Sequence, residues 1–335
     1  MFNKFYEKLK GFMRENWKFF VSLLVIVCLF TFELPYVVYT PGGSIDLANR
    51  IEVEDGYETQ GSLSMAYVSM IKGSIPFLLF SYLIPNWDIV STKDIKPDNE
   101  SLEEMILADQ ISLIQAQNNA LYAAFSLANK EVKVLSQTNH LVYMSNEADT
   151  DLELFDEILT MNGQEIKNLD TVREMVGSLH AGDEVSFEII RRGKKMTKKA
   201  TVYETSEGPK VGVSITTTYE YETNPKVSFV SKSSESGPSG GLMNALAIYN
   251  ALVSEDITMG KKIIGTGTID KNGVVGEIGG VKYKLLGAAK KKADVFLVPT
   301  KNYEEAIQVK NENDLDIRVI AVSSLEEAIA ALAKL

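Results

Sequence analysis

A serine on a glycine–proline turn and a lysine behind a glycine pair are the residues of this sequence best suited to chemistry. Ser239 sits in Ser236-Gly237-Pro238-Ser239-Gly240-Gly241, and Lys282 in Gly279-Gly280-Val281-Lys282. A serine hydroxyl is a weak nucleophile until a base takes its proton. A lysine is such a base only as the neutral amine, which burial favours. Lys282 falls in the first turn of an expected helix, where the positive end of the helix dipole also disfavours an ammonium. Gly279 and Gly280 let the backbone close in around it. On the other side, Gly237 and Pro238 set a tight turn, while Gly240 and Gly241 leave room and N–H groups beside Ser239. Amides at a helix N-terminus stabilise a developing oxyanion. The expected roles are Ser239 as nucleophile and Lys282 as general base, with Pro238 and Gly240 supporting the turn. Taken alone, each motif also reads as a loop entering a helix or a solvated turn. Neither is a phosphate-binding P-loop, since no G-x-x-x-x-G-K-[ST] occurs. The two residues lie 43 positions apart, so only the fold can join them.

The elements that must do so are legible in residues 205–335. A strand is expected at 227–230, a mostly buried helix at 239–251 and a strand at 263–269. The chain then turns at Asp270-Lys271-Asn272-Gly273 into 274–278. A helix at 281–292, a strand at 295–298 ended by Pro299, a helix at 303–310 and a strand at 318–322 follow. Ser323 and Glu326 cap a last helix. This β-α-β-α order predicts a mixed sheet with helical cover, an α+β fold. Residues 40–130 read as strands followed by one long helix over 101–129, opened by the capping box Ser101/Glu104. Residues 76–85 are apolar but too short to span a bilayer; they pack in a core or skim a membrane surface. Residues 131–204 form a module of their own. It has a strand closed by Asn162-Gly163, a second capping box at Thr171/Glu174, and the alternating strand Val185, Phe187, Ile189.

Apolar content of 45% with 24% charged residues is ordinary for a globular chain. The net charge of −11 with no basic stripe argues against a nucleic-acid partner. One cysteine (Cys28) and two histidines (His140, His180) exclude a disulfide framework and an H-E-x-x-H metal site, and no cofactor is expected. Residues 1–18 carry Lys4, Lys8, Lys10, Arg14 and Lys18 against Glu7 and Glu15. The apolar run 19–32 follows, and 34–38 extends it past Glu33. The reading is an uncleaved transmembrane anchor over 19–39 with the basic flank in the cytoplasm, which sends the rest outside the cell. A cleaved signal peptide is the competing reading, and no A-x-A-like site supports it.

Ser239 in G-P-S-[AG]-G and Lys282 in G-G-x-K, with Thr266-Gly267-Thr268-Ile269 between them, resemble the Ser–Lys dyad region of Lon-type peptidases. Lys284-Leu285-Leu286-Gly287-Ala288-Ala289 and the strand 295–299 continue the likeness over about 100 residues. The resemblance implies that Thr266 assists the lysine amine. One departure is visible: many Lon peptidases carry an acid immediately before G-P-S, whereas here Ser236 stands there and Glu235 comes one earlier. In 131–204, the segments D-x-I-L-x-x-N-G and A-G-D-E-V resemble a bacterial PDZ domain, a fold that binds extended peptide ends. No GLGF-like loop precedes its early strand. Anchor, PDZ and Lon-like block together are similar to the YlbL/SepM type of membrane-anchored peptidase of Gram-positive bacteria. The resemblance implies a PDZ inserted between two parts of one peptidase domain, 40–130 and 205–335. The expected activity is ATP-independent serine endopeptidase cleavage of extracellular or membrane-proximal peptides and proteins, including maturation of a secreted signalling peptide. Lon-type domains often form rings, so a homo-oligomer is allowed. The rival is an inactive membrane-tethered PDZ scaffold that binds peptide termini.

Overall fold

The structure, a computed structural model, describes residues 2–96, 101–167 and 169–335. It divides into two units, Met1–Pro41 with Val68–Ile95, and Gly42–Tyr67 with Lys96–Leu335. The first unit opens with helices α1 (Phe2–Glu15) and α2 (Trp17–Thr31). Strands β1 (Tyr36–Asp46), β2 (Ile51–Val53) and β3 (Ser62–Lys72) follow, and β1 and β3 run through both units. Helix α3 (Ile75–Ser81), strand β4 (Asp88–Ser91) and the single turn α4 (Thr92–Ile95) complete the first unit. β4 lies antiparallel to the start of β1, from Tyr36↔Ser91 to Tyr39↔Asp88.

The transmembrane anchor expected over 19–39 does not form. At 15 residues α2 is about 22 Å long, short of a hydrocarbon core of about 30 Å. Among the described residues no helix is long and apolar enough to cross a membrane. The backbone turns extended at Phe32 ahead of Pro35. Val37 and Val38, apolar residues that lengthen the run in sequence, are instead fully buried strand residues. Residues 76–85 give the short helix α3 and not a core element, with Leu79, Tyr82 and Leu83 exposed.

In the second unit, α5 (Leu102–Leu127) starts at the expected capping box. Ser101 Oγ accepts the Glu104 N–H at 3.1 Å and the Glu104 carboxylate accepts the Ser101 N–H at 2.8 Å. A compact module follows. Its elements are β5 (Val132–Met144), β6 (Asp149–Thr150), β7 (Glu157–Met161), β8 (Gln164–Glu165), α6 (Leu169–Gly177), β9 (Glu184–Arg191), β10 (Lys194–Thr201), β11 (Tyr203–Thr205), β12 (Gly208–Lys210) and β13 (Val213–Thr223). The sheet order is β13-β5-β7-β9-β10-β6, with β13 at one edge. Arg192 and Gly193, both at positive φ, close the β9–β10 hairpin, as Asn162 and Gly163 close β7–β8. Thr171 lies inside α6 and not before it, so the second capping box is not the start of that helix. The module has its own core, from Leu141 through Phe187 to Ile215. Arg191 pins it by gripping Asp156 with Nε and Nη2, each at 2.7 Å, while Nη1 meets Glu153 at 2.6 Å.

The remaining elements are β14 (Val227–Phe229), α7 (Gly241–Leu252), β15 (Lys262–Gly265), β16 (Thr268–Ile269), β17 (Val275–Gly276), α8 (Val281–Lys290), β18 (Val295–Pro299), α9 (Tyr303–Glu312), β19 (Arg318–Val322) and α10 (Leu325–Leu332). β15 runs parallel to β3 and to β18, and β18 parallel to β19. Alternation then divides the core in two. Ile263, Val295 and Leu297 pack with α5, α7 and α10, whereas Ile264, Phe296 and Val298 pack with α8 and α9. Phe125 and Ala124, which precede the module, thus share one core with Leu246, which follows it. The final cap is shifted by one residue from expectation: Ser324 Oγ accepts the Glu327 N–H at 3.1 Å, and Glu327 reaches back to Ser323.

Candidate active site

Ser239 lies in a 3-10 turn, Pro238–Gly240, between an extended loop and α7. Gly237 enters it at φ +88°, a backbone that L side chains rarely adopt, and Pro238 is preset for the turn that follows. Ser239 is half-buried, and the helix behind it is almost wholly buried from Gly241 to Leu246. The Ser239 turn is bonded to the hairpin of β16 and β17. The Ser239 carbonyl accepts the Gly267 N–H at 2.8 Å and the Thr266 hydroxyl at 3.0 Å, and the Leu242 N–H donates to Gly267 O at 3.0 Å. Thr266 is fully buried, so its hydroxyl is committed to the backbone of Ser239 itself.

The lysine side is built on the segment that leaves β17. Thr268 pairs with Gly276, and two residues on, the Asn302 side-chain amide brackets Ile278. Its Oδ1 accepts the Ile278 N–H at 2.9 Å and its Nδ2 donates to Ile278 O at 3.0 Å. Gly280 then takes a left-handed conformation, φ +71°, as the N-cap of α8, and Lys282 stands in the first turn. Lys282 is half-buried, with its Nζ 5.5 Å from the centre of the Tyr283 ring. The lysine that burial pulls down, to about 8, is its neighbour Lys284, at 4% exposure. The two side chains are about 200° apart around the helix, so they face opposite ways.

α5 braces both halves, which no motif announced. Gly237 N–H donates to Asp109 O at 2.8 Å, Gln110 Nε2 to Ser233 O at 2.8 Å, Gln117 Nε2 to Ser231 Oγ at 2.9 Å and Asn119 Nδ2 to Ile269 O at 3.0 Å. Asp109 is half-buried, and desolvation pushes its carboxyl up. Also from α5, Asn118 binds the edge of β13. Nδ2 donates to Tyr219 O at 2.9 Å and Oδ1 accepts the Tyr219 N–H at 2.8 Å. At the other end of β13, a groove of about 810 Å³ lies between α6 and the loop into the strand, lined by Leu169, Val172, Val176, Val211, Gly212 and Val213.

Residues 230–334 match the Lon protease (S16) C-terminal proteolytic domain. The chain is 36% identical over 98 residues to a Lon protease of Campylobacter concisus and 35% identical over 95 residues to one of Clostridium beijerinckii. An archaeal Lon protease of Halobacterium salinarum is 30% identical over 93 residues. Each alignment takes in 28% of this chain, and 11%, 11% and 13% of the respective relatives. The chain thus spans about a tenth of the length of the curated relatives it matches. A solved PDZ domain of the SdrC-like protein of Listeria monocytogenes is also similar, with 18% identity and a TM-score of 0.23 over 25% of this chain and 92% of that one. Every residue named above for the two motifs lies inside the matched segment.

Proposed function

We propose that the protein is an ATP-independent serine endopeptidase in which Ser239 attacks the peptide carbonyl and Lys282 is the general base. The observation that carries this reading is the set of bonds from Thr266 and Gly267 to the Ser239 carbonyl. They join the nucleophile turn to the hairpin that leads into the lysine loop, which two solvated turns would not require. In the forward step the neutral lysine amine takes the Ser239 proton as Oγ bonds to carbon. The resulting ammonium protonates the leaving amine, and water then hydrolyses the ester by the same route in reverse. Amides at the start of α7 stabilise the oxyanion.

The module is the substrate-recruiting part of this scheme. An extended peptide end enters the groove beside α6 and adds to the free edge of β13, as in PDZ recognition. Gln115 and Asn118 occupy that edge further along, at Thr217 and Tyr219. The substrates are accessible peptides and unstructured segments, including membrane-proximal ones and secreted signalling peptides. α2 exposes apolar residues such as Phe19, Leu24 and Phe30, which contact with a lipid surface would cover.

The test is cleavage of a fluorescently labelled disordered protein by wild type, Ser239→Ala, Lys282→Ala and Lys284→Ala, without ATP. Loss of activity in the first two variants with folding intact, and retention in the third, is the expected pattern. Activity retained by Lys282→Ala and lost by Lys284→Ala would transfer the base to the buried lysine. Vesicle co-flotation with and without residues 1–31 tests the lipid surface.

A further inference from the structure

The loop that delivers Ser239, residues 230–237, is bounded on one side by a part-buried ion pair. Arg50 follows the short 3-10 turn after β1 and precedes β2, which pairs antiparallel with β14. That pairing sets Arg50 across from the first residue of the loop, and the Val230 N–H donates to Arg50 O at 2.8 Å. Arg50 Nη2 meets Glu235 Oε1 at 2.8 Å, with the two side chains only 17% and 12% exposed. The other carboxylate oxygen of Glu235 accepts the Lys232 N–H at 3.2 Å, and the Glu235 N–H returns to Lys232 O at 2.9 Å. Glu235 therefore closes a turn of the loop and ties it to β2, two residues before Gly237.

The pair is poorly built for stability alone. Among the described residues Arg50 Nε is buried without an acceptor, and a largely desolvated ion pair with an unsatisfied donor recovers its desolvation cost only in part. An arrangement that stabilises so little and holds one loop so closely serves position. The sequence departs from the Lon pattern here, because the acid expected next to G-P-S stands one residue earlier. At that position Glu235 points to Arg50.

We propose that Arg50 and Glu235 form a positioning pair that fixes the approach of the Ser239 turn, a role that rests on Ser239 being the nucleophile. They do not touch the reacting atoms. Release of the loop leaves α7 and its core intact but lets Gly237 and Ser239 drift, and misplacement by about 1 Å costs on the order of 100-fold in rate.

The experiment uses the full chain and one quenched fluorescent peptide that wild type cleaves. The variants are Arg50→Gln, Glu235→Gln, Arg50→Lys, the double neutral variant Arg50→Gln/Glu235→Gln and Ser239→Ala. The double variant leaves no unpaired buried charge, so it keeps the test alive if a single variant fails to fold. The expected result is a fall in kcat of about 10- to 100-fold with KM within about threefold. The double variant should be no worse than either single one, and Arg50→Lys should regain part of the loss. Hydrogen exchange read by mass spectrometry should be faster for 230–237 and unchanged for α7. A merely structural pair would lower the melting temperature and the active fraction while leaving kcat per active site unchanged. If Ser239→Ala is inactive and the pair variants cleave at the wild-type rate, the positioning role is overturned and the nucleophile stands. If Ser239→Ala still cleaves, the nucleophile falls, and unchanged exchange of the loop would overturn the pair as well.

Discussion

Replacing Gly241 by alanine should slow catalysis, whereas the same change at Gly240 should hardly matter. Both residues have ordinary helical backbones, φ −56° and −90°, so strain at φ does not distinguish them. Space does. A Cβ on Gly241 would stand 2.9 Å from Ile269 Cγ2 and 3.1 Å from the backbone N of Ile269. Carbon contacts are comfortable at about 3.5–4.0 Å, so the start of α7 must back away by roughly half an ångström. The backbone it presses on is itself tethered by Asn119, which cannot follow freely. Ser239 is two residues upstream and shares the hairpin contact, so the displacement reaches its side chain. If about 1 Å costs on the order of 100-fold, half of that costs about 10-fold in kcat. Stability changes less, because overpacking of about 1–3 kcal/mol is offset by about 1 kcal/mol of helix propensity gained over glycine. A Cβ on Gly240 meets only the Met65 sulfur, at 2.6 Å, the far end of a flexible side chain that can swing aside. Gly240→Ala should therefore stay within about threefold of wild type, as the [AG] of the Lon-like motif suggests. The assay is peptide hydrolysis beside thermal denaturation for both variants. Equal activity in Gly241→Ala and Gly240→Ala would refute the steric argument.

Asn118→Leu should lower stability by about 2–4 kcal/mol, since it strands the paired N–H and C=O of Tyr219, and a shifted urea midpoint at constant m-value is the readout. Arg191→Leu leaves Asp156, with a side chain 1% exposed, as an uncompensated buried carboxylate at a cost of about 3–5 kcal/mol. Its signature is faster hydrogen exchange in β7 and β9 than in β18, and equal exchange would argue that the module has no core of its own. Lys284 makes a pH prediction. Its folded pKa of about 8 lies below the reference 10.5, so between those values the unfolded chain holds a proton that the folded chain has lost. Stability from this group therefore rises with pH across that window and carries its full penalty, about 3 kcal/mol, below about pH 8. Lys284→Met should raise the melting temperature at pH 7 and flatten the rise above pH 8; an unchanged profile would show that the amine is solvated.

What the sequence made legible is local. The capping box at Ser101, the turns at Asn162 and Arg192 and the order β18-α9-β19 each follow from residues within a few positions of one another. The serine and lysine motifs were legible for the same reason, because glycines flank Ser239 and a glycine pair precedes Lys282. Hydropathy misled at the N-terminus, since it scores Val37 and Val38 alike in a membrane helix or a buried strand. What decides between them is the partner β4, some 50 positions away. Burial of Lys284 and not Lys282 was equally illegible, because it depends on which face of α8 meets the sheet.

The contacts that organise the site are of this second kind. Arg50 and Glu235 are 185 positions apart, Asn118 and Tyr219 101, and Asn119 and Ile269 150. They join loops to regular elements through side-chain amides and one ion pair, groups that leave no periodic trace. Such groups are costly to bury and give little net stability, so where they converge on one turn their value lies in its geometry. Three of them, from Arg50, Gln110 and Gln117, converge on 231–237, beside the backbone bond from the Gly237 N–H to Asp109 O. The loop that carries Ser239 is therefore held from two directions, by Arg50 and by α5.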